Sequence, residues 1–418
     1  MKLFNRKITV PDDLRLVSSH DPDEVDPGPL GMTRAGVEAI WDTVLDLYRA
    51  GHHPAVALCI RRRGEVVLDR AIGHERGNGP GESSYAEKIL ATPRSPFCIF
   101  SASKAITAVL VHILDERGRL HIDDPVAEYL PAFARRNKGN VTIRHIMTHR
   151  AGIPSLALGG DVRLLLRWDE IIERLCDAKP LSPPGRKLAY HAVTGGFILG
   201  EIVRRVTGLT VRELLTQEIR EPLGLRHFSF GVDAADVPLV VRNYLTGFPP
   251  GFPFSALFRR SLGVEFEQAV EVSNDPLFLT GIVPSANLVC TANELSRFFQ
   301  LLLDGGIAGT QRIFSRRLVY RAINESSWRE FDASIGLPIR YGVGLMLGSP
   351  LVSPFGPDTP NAYGHLGFVN ISGWVDPDRE ISVAFLNSGK PFIGRHIRHL
   401  LRFLGAVSRH CPKGERRE

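Results

Sequence analysis

The residues Phe100-Ser101-Ala102-Ser103-Lys104 open the stretch FSASKAITAVLVHILDERG, numbered 100–118, whose reading decides the rest of the chain. From Ser101 to Arg117 it is apolar on nearly every side (Ala105, Ile106, Ala108, Val109, Leu110, Val111, Ile113, Leu114) and stops at Gly118 as a helix C-terminus does. A helix of that composition belongs in the middle of a protein. Its first residues are the only S-x-x-K in the chain, and a spacing of three puts the Ser101 hydroxyl and the Lys104 amine on one face. A serine hydroxyl is a weak nucleophile until a neighbour takes its proton, and a buried lysine can be neutral or act as a cation beside a base. The helix N-terminus adds a field that favours developing negative charge. The same residues also describe a capping serine followed by a snorkelling lysine, so the motif needs company.

Working outward, apolar positions recur at helical spacing over 33–50, and 55–60 and 66–68 are β-branched runs around Arg63-Gly64, a hairpin signal. Helix signals then dominate at 142–148, 168–176 and 194–206, with capping boxes at Thr210 to Glu213 and Thr291 to Glu294. No strand-rich block is expected there. Strand candidates return at 341–347, 373–375 and 381–386, the last two joined by Asp376-Pro377-Asp378-Arg379, which suits a type I turn. A terminal helix is expected over 393–404. The fold class is therefore α/β of the α+β type: an antiparallel sheet flanked by helices and built from both chain ends, beside an all-α insertion domain. The expected boundaries are an irregular N-terminal arm over 1–31, an α/β domain of 32–118 and 310–408, a helical domain over 119–309 and a basic tail over 409–418.

The usage of residues, 44% hydrophobic and 23% charged over 418 residues, excludes disorder, collagen and coiled coil. The net charge of +6 comes from scattered arginines without interleaved aromatics, so no nucleic-acid partner is expected. Arg61-Arg62-Arg63 and the tail from Arg409 read as solvated faces. Five widely spaced cysteines (Cys59, Cys98, Cys176, Cys290, Cys411) lack any zinc spacing and read as reduced thiols. No metal and no organic cofactor is expected. Neither a signal-peptide core nor an unbroken apolar run of about 18 to 20 residues is present, which makes a cytoplasmic location the expectation.

The G-x-S-x-G elbow, the P-loop, G-x-G-x-x-G and H-E-x-x-H are all missing. Two other stretches stand out. Pro184-Gly185-Arg186-Lys187-Leu188-Ala189-Tyr190-His191-Ala192 leads into the 194–206 helix, where a tyrosine can point its phenol into a cleft. Gly364-His365-Leu366-Gly367-Phe368 holds the only H-x-G, whose glycines allow close backbone approach and expose N–H groups as oxyanion donors.

In this order the three motifs resemble the serine β-lactamase and penicillin-binding protein superfamily, most closely its class C β-lactamase-like branch and the family VIII carboxylesterases. The resemblance spans about Pro54 to Asn387 and extends to VALCIRRRGEVVLDRAIG (56–73), DDPVAEYLPAF (123–133), VTIRHIMTHRAGI (141–153), LVCTANELSRFFQLLLDGG (288–306) and GWVDPDREISVAFLN (373–387). It implies an active site in a groove between the two domains. There Ser101 attacks a carbonyl, Lys104 assists its deprotonation, Tyr190 is the base that later protonates the leaving group, and the N–H groups of Ser101 and Phe368 form the oxyanion hole. A phenol with a pKa near 10 needs a close cation for that task, and Lys104 is the candidate. Sequence alone does not decide which of the two takes the proton.

Two departures shape the expected activity. Tyr190-His191-Ala192 stands where the β-lactamases and peptidases carry Tyr-x-Asn, and His365-Leu366-Gly367 where they carry Lys-Thr-Gly or an equivalent. The amide, the fixed charge and the hydroxyl that grip a peptide-like, carboxylate-bearing substrate are absent, and uncharged esters lose least. His365 is a candidate to hydrogen-bond Tyr190 or the substrate, Gly367 lines its approach, and His191 is a further candidate contact. Arg150 reads as a surface arginine, though it could restore charge. The uncharged run NYLTGFPPGFPFSALF (243–258) could flank an acyl pocket, touch a membrane surface or simply pack on the helical domain. The expected activity is that of a serine carboxylesterase or lipase-like hydrolase acting on small, uncharged, short to medium acyl esters. A D-alanyl peptidase or β-lactamase, and a catalytically weak scaffold of the same fold, are the alternatives. The oligomeric state is open.

Overall fold

The first hairpin shows why this sequence makes a sheet covered on both faces. In the computed structural model, which describes residues 6–83, 85–156, 161–327, 330–351 and 353–414, the strand Ala55–Arg62 alternates small Ala55, Ala57 and Cys59 with large Val56, Leu58 and Ile60. The small set joins one buried core and the large set another, so the strand is apolar at successive positions because each face is covered. Ile381–Asn387 repeats the pattern, sending Ala384 and Leu386 to the first core and Ile381, Val383 and Phe385 to the second.

The strands of the main sheet are, in chain order, β1 (Ser18–His20), β2 (Ala55–Arg62), β3 (Glu65–Arg76), β4 (Ile89–Leu90), β5 (Arg340–Tyr341), β6 (Met346–Leu347), β7 (Tyr363–Leu366), β8 (Ser372–Asp376) and β9 (Ile381–Asn387). They lie in the order β1-β3-β2-β9-β8-β7-β6-β5 with β4 beside β3, and every pairing is antiparallel. The seam between the chain ends is β2 on β9, from Arg62 opposite Ile381 to Val56 opposite Asn387. The early and late strands do share one antiparallel sheet.

The main helices are α1 (Arg34–Arg49), α2 (Ser103–Glu116), α3 (Thr194–Thr207), α4 (Ala292–Leu303) and α5 (His396–His410), with α3 packed on α2. The amphipathic helices α1 and α5 pack together over the face of large residues. α4 covers the other face, with Leu295 and Phe299 against Gly373, and α2 packs on β7 with every residue from Ser103 to Asp115 buried. Both capping boxes form, at Thr210 and at Thr291.

The structure corrects several expectations. Residues 1–31 are not simply an irregular arm, because Leu14–Val17 is a 3-10 turn with Leu14 and Val17 buried, and Ser18–His20 is the edge strand on β3. Runs of three or four residues are too short to show a period. The central stretch holds a three-stranded sheet, Phe97–Cys98 and Ser229–Phe230 on either side of Leu288–Cys290. The strand expected over 341–347 is two strands, split by a turn at Gly342 to Gly344. The last helix begins at His396 rather than 393, since Phe392 and Ile393 turn into a cavity. Arg62 is not solvated: it is buried and donates to Pro412 O at 2.7 Å, fastening the tail to the sheet, and Lys413 pairs with Asp358 at 2.8 Å. The tail residues 415–418 lie outside the described residues. All five cysteines are free and buried.

Two contacts hold α2 against the turn between β5 and β6. His112 Nε2 meets Val343 O at 2.9 Å, and at Gly344, with φ of +99°, a Cβ would lie 2.3 Å from Ala108 Cβ. Gly344→Ala therefore combines a forbidden backbone angle with overpacking against α2 and should lower the unfolding free energy by on the order of 3 kcal/mol, read as a shifted denaturant midpoint.

Candidate active site

α2 is preceded by a single 3-10 turn, Phe100–Ala102, that leaves Ser101 half-exposed at the mouth of an otherwise buried element. Phe100 itself has φ of +47°, the left-handed region that a bulky side chain rarely adopts. Functional sites are where such strain collects. Ser103, two residues on, is fully buried and accepts a hydrogen bond from Leu288 N at 3.1 Å, so its hydroxyl ties α2 to the small sheet. Of the two serines only Ser101 faces open space.

Lys104 Nζ donates to Ser101 Oγ at 3.1 Å, to Ala192 O at 2.7 Å and to Ser285 O at 3.0 Å. Its three protons thus have partners, but among the described residues no carboxylate pairs with it. Burial consequently pushes the ammonium down to about 7. The ammonium sits 4.8 Å from the centre of the Tyr190 ring, and Tyr190 lines the same cavity as Ser101. Burial pushes the phenol up, and the nearby Ser101 side chain only partly offsets this. At neutral pH the tyrosine is a neutral phenol and the lysine divides between its two forms.

The loop bearing Tyr190 is held by groups that no local motif announces. Asp332, fully buried, accepts at Oδ1 from Tyr190 N (3.0 Å), Ser334 N (2.8 Å) and Ile335 N (3.1 Å), and at Oδ2 from the Tyr341 hydroxyl (3.1 Å). His149, at φ +59°, accepts from His191 N at its Nδ1 (3.2 Å) and packs its ring 4.7 Å from that of Tyr190. Burial keeps it far below the usual imidazole range, in keeping with an unprotonated Nδ1.

The other sequence candidates divide. Gly367 and Phe368 line the same cavity as Ser101 and Tyr190. A Cβ at Gly367 would lie 2.4 Å from Ile99 O, so only glycine lets this segment approach the turn before Ser101. Phe368 packs its ring 5.4 Å from Phe100. His365 is buried with its ring 6.4 Å from that of Tyr190, and its Nδ1 engages Leu366 O at 2.7 Å. His191 is turned away, stacked on His149 with Nδ1 on Ala189 O, and borders a separate space of ≈ 30 Å³ behind Lys104. Arg150 is no surface arginine: it is largely buried and bonded to Ser326 O and Glu330.

In front of Ser101 lies a cavity of ≈ 540 Å³, walled by Phe254, Phe258, Leu337, Leu366, Phe368, Phe392 and Ile393. None of the described residues lining it is charged. The uncharged run 243–258 thus flanks this cavity through the helix Phe254–Leu262, rather than merely packing as a loop.

A seryl hydroxyl, a buried lysine and a buried phenol meeting at the start of an apolar helix, beside an antiparallel sheet, is the constellation of the serine hydrolases with the β-lactamase fold. The chain belongs to the Beta-lactamase family, whose model matches residues 36–404. It is 28% identical over 389 residues to "Esterase/beta-lactamase LipL" of Mycobacterium tuberculosis, covering 90% of this chain and 86% of that one. Among solved structures it is similar to a penicillin-binding protein homolog from Caulobacter crescentus (TM-score 0.74, 26% identity, 89% of this chain and 96% of that one). A family VIII carboxylesterase shares the fold (TM-score 0.75, 23% identity, 90% and 98%).

Asp332→Ala strips four donors of their acceptor and should cost about 3 kcal/mol of stability, whereas Asp332→Asn, which keeps one amide oxygen, should cost less. Urea denaturation of the two variants checks the order.

Proposed function

We propose that the protein is a serine carboxylesterase that hydrolyses uncharged esters with short to medium acyl groups through an acyl-Ser101 intermediate. The observation that carries this reading is the cavity in front of Ser101, apolar and without a charged wall among its described residues. A carboxylate-bearing peptide or β-lactam would find no cation there, while an acyl chain would find phenylalanine on several sides.

In this reading neutral Lys104 takes the Ser101 proton as Oγ bonds to the carbonyl carbon, and the backbone N–H groups of Ser101 and Phe368 hold the resulting oxyanion. Lys104 suits the role of base better than Tyr190 because burial lowers the lysine and raises the tyrosine, so only the lysine has an appreciable unprotonated population near pH 7. The neutral Tyr190 phenol then donates to the departing alkoxide oxygen and recovers its proton from Lys104. Water, activated by the same lysine, releases the carboxylic acid.

The name of LipL couples esterase with β-lactamase, so a second reading keeps weak β-lactam turnover by the same serine. Ala192, in the position of the missing amide, offers only a carbonyl, and that carbonyl is already taken by Lys104.

Hydrolysis of p-nitrophenyl esters of graded chain length, with a chromogenic cephalosporin in parallel, tests both. Ser101→Ala should abolish ester turnover and Ser103→Ala should not, apart from a loss of stability. Cephalosporin cleavage should be slower than ester cleavage by orders of magnitude, and the reverse preference would favour the second reading. Because the unprotonated lysine is the active form, kcat/KM for the ester should rise with pH through a limb near 7, and Lys104→Arg should remove turnover at every pH.

A further inference from the structure

Another lysine is buried more completely than Lys104, and the reaction just described makes no use of it. Lys390 follows β9 by three residues, is 0% exposed, and donates through Nζ to Asn387 O at 2.8 Å and Asn387 Oδ1 at 3.3 Å. Its backbone is fixed as well, since its N–H donates to Tyr244 O at 2.9 Å and the preceding Gly389 forms a parallel bridge with Tyr244. Among the described residues no carboxylate pairs with it, and burial pushes the ammonium down to about 7, opposed by the Cys98 thiol.

What faces Lys390 is an aromatic ring. Nζ lies 4.9 Å from the centre of Phe100, the residue immediately before Ser101 and the one held at φ of +47°. A desolvated cation over an aromatic face is attracted far more strongly than one in water. Phe100 also meets Phe368, at 5.4 Å between ring centres, and Phe368 in turn packs on Phe266 at 5.0 Å, whose ring lies 6.0 Å from that of Phe392. Phe392 is two residues beyond Lys390, so the chain of contacts closes on the segment where it began. An isolated charge in a protein interior is costly and is a poor device for stability alone. Its position explains the expense: Phe100 and Phe368 are the two residues whose backbones flank the candidate oxyanion pocket, one supplying the carbonyl next to the Ser101 N–H and the other its own N–H.

We infer that Lys390 is a positioning residue, which clamps the Phe100 ring from beneath so that the N–H groups of Ser101 and Phe368 converge on one point in front of Ser101 Oγ. It acts through Phe100 and touches no substrate. This rests on the reading of Ser101 as nucleophile, and the test separates the two.

The probe is a fluorophosphonate, which reports the nucleophile and the oxyanion donors whatever the natural substrate, together with p-nitrophenyl butyrate turnover. All rates are taken per active site titrated by the phosphonate, and melting temperatures are recorded alongside. Lys390→Met should slow phosphonylation and kcat at least 10-fold with KM within about twofold. Phe100→Leu, which keeps Lys390, should do the same, and the double variant should be no slower than the slower single one, because both changes break one strut. A lysine that merely stabilised the fold would lower the melting temperature and the number of titratable sites while leaving the rate per site unchanged, and that outcome overturns the inference. So does an additive double variant, or a loss confined to KM. Should Lys390→Met not fold, normal rates per site in Phe100→Leu overturn it equally. Failure of the wild type to react with the phosphonate overturns the reading of Ser101 itself, a different result from normal labelling of the Lys390 variant.

Discussion

The site depends on an ammonium group kept out of water with no anion beside it among the described residues. Lys104 meets a serine oxygen and two backbone carbonyls, and none of them carries a full charge. Those bonds keep the amine in place, but they do not repay its dehydration, so its proton is loosely held near neutrality. A carboxylate at that position would pin the proton and end any role as base. The arrangement therefore asks the fold for a helix buried on all sides, a carbonyl from the Tyr190 loop and a carbonyl from the segment before the small sheet, all meeting within bonding distance of one nitrogen. The buried stretch Ser103 to Asp115, the Asp332 anchor beneath Tyr190 and the His112 contact with the β5–β6 turn supply that frame.

The second constraint is apolarity in front of the serine. The phenylalanines of three separate segments, 254–258, 368 and 392, converge there, and no charged residue interrupts them among those described. Such a wall is indifferent to an acyl chain and hostile to a carboxylate, which accounts for the preference proposed for uncharged esters. The same rings run down to Phe100, so packing that shapes the cavity and packing that shapes the turn before Ser101 belong to one cluster.

Much of this was legible in the residues because it repeats locally. The continuous apolarity of α2, the matched runs in β2 and β9, the capping boxes at Thr210 and Thr291 and the spacing of Ser101 from Lys104 are periodic or adjacent features, and each stands where the pattern put it. What escaped is long-range. Asp332 reaches Tyr190 across 142 positions, the burial of Arg62 depends on the tail wrapping back to it, and Lys390 finds its ring 290 residues earlier in the chain. Strands of two or three residues, as in the small sheet and at β1, carry too little sequence to show alternation. The run 243–258 was recognisable as uncharged and aromatic, but only the packing of Phe254 against Phe392 decides that it walls the cavity.

The central claim is that Ser101, and no other residue, carries the acyl group in turnover. Rapid acid quench during hydrolysis of p-nitrophenyl butyrate, followed by mass spectrometry of proteolytic peptides, tests it most directly. The account predicts a butyryl adduct, a gain of about 70 Da, on the peptide holding Ser101 and its absence in Ser101→Ala. An adduct on Ser103 or on a lysine, or steady turnover by Ser101→Ala, would contradict it.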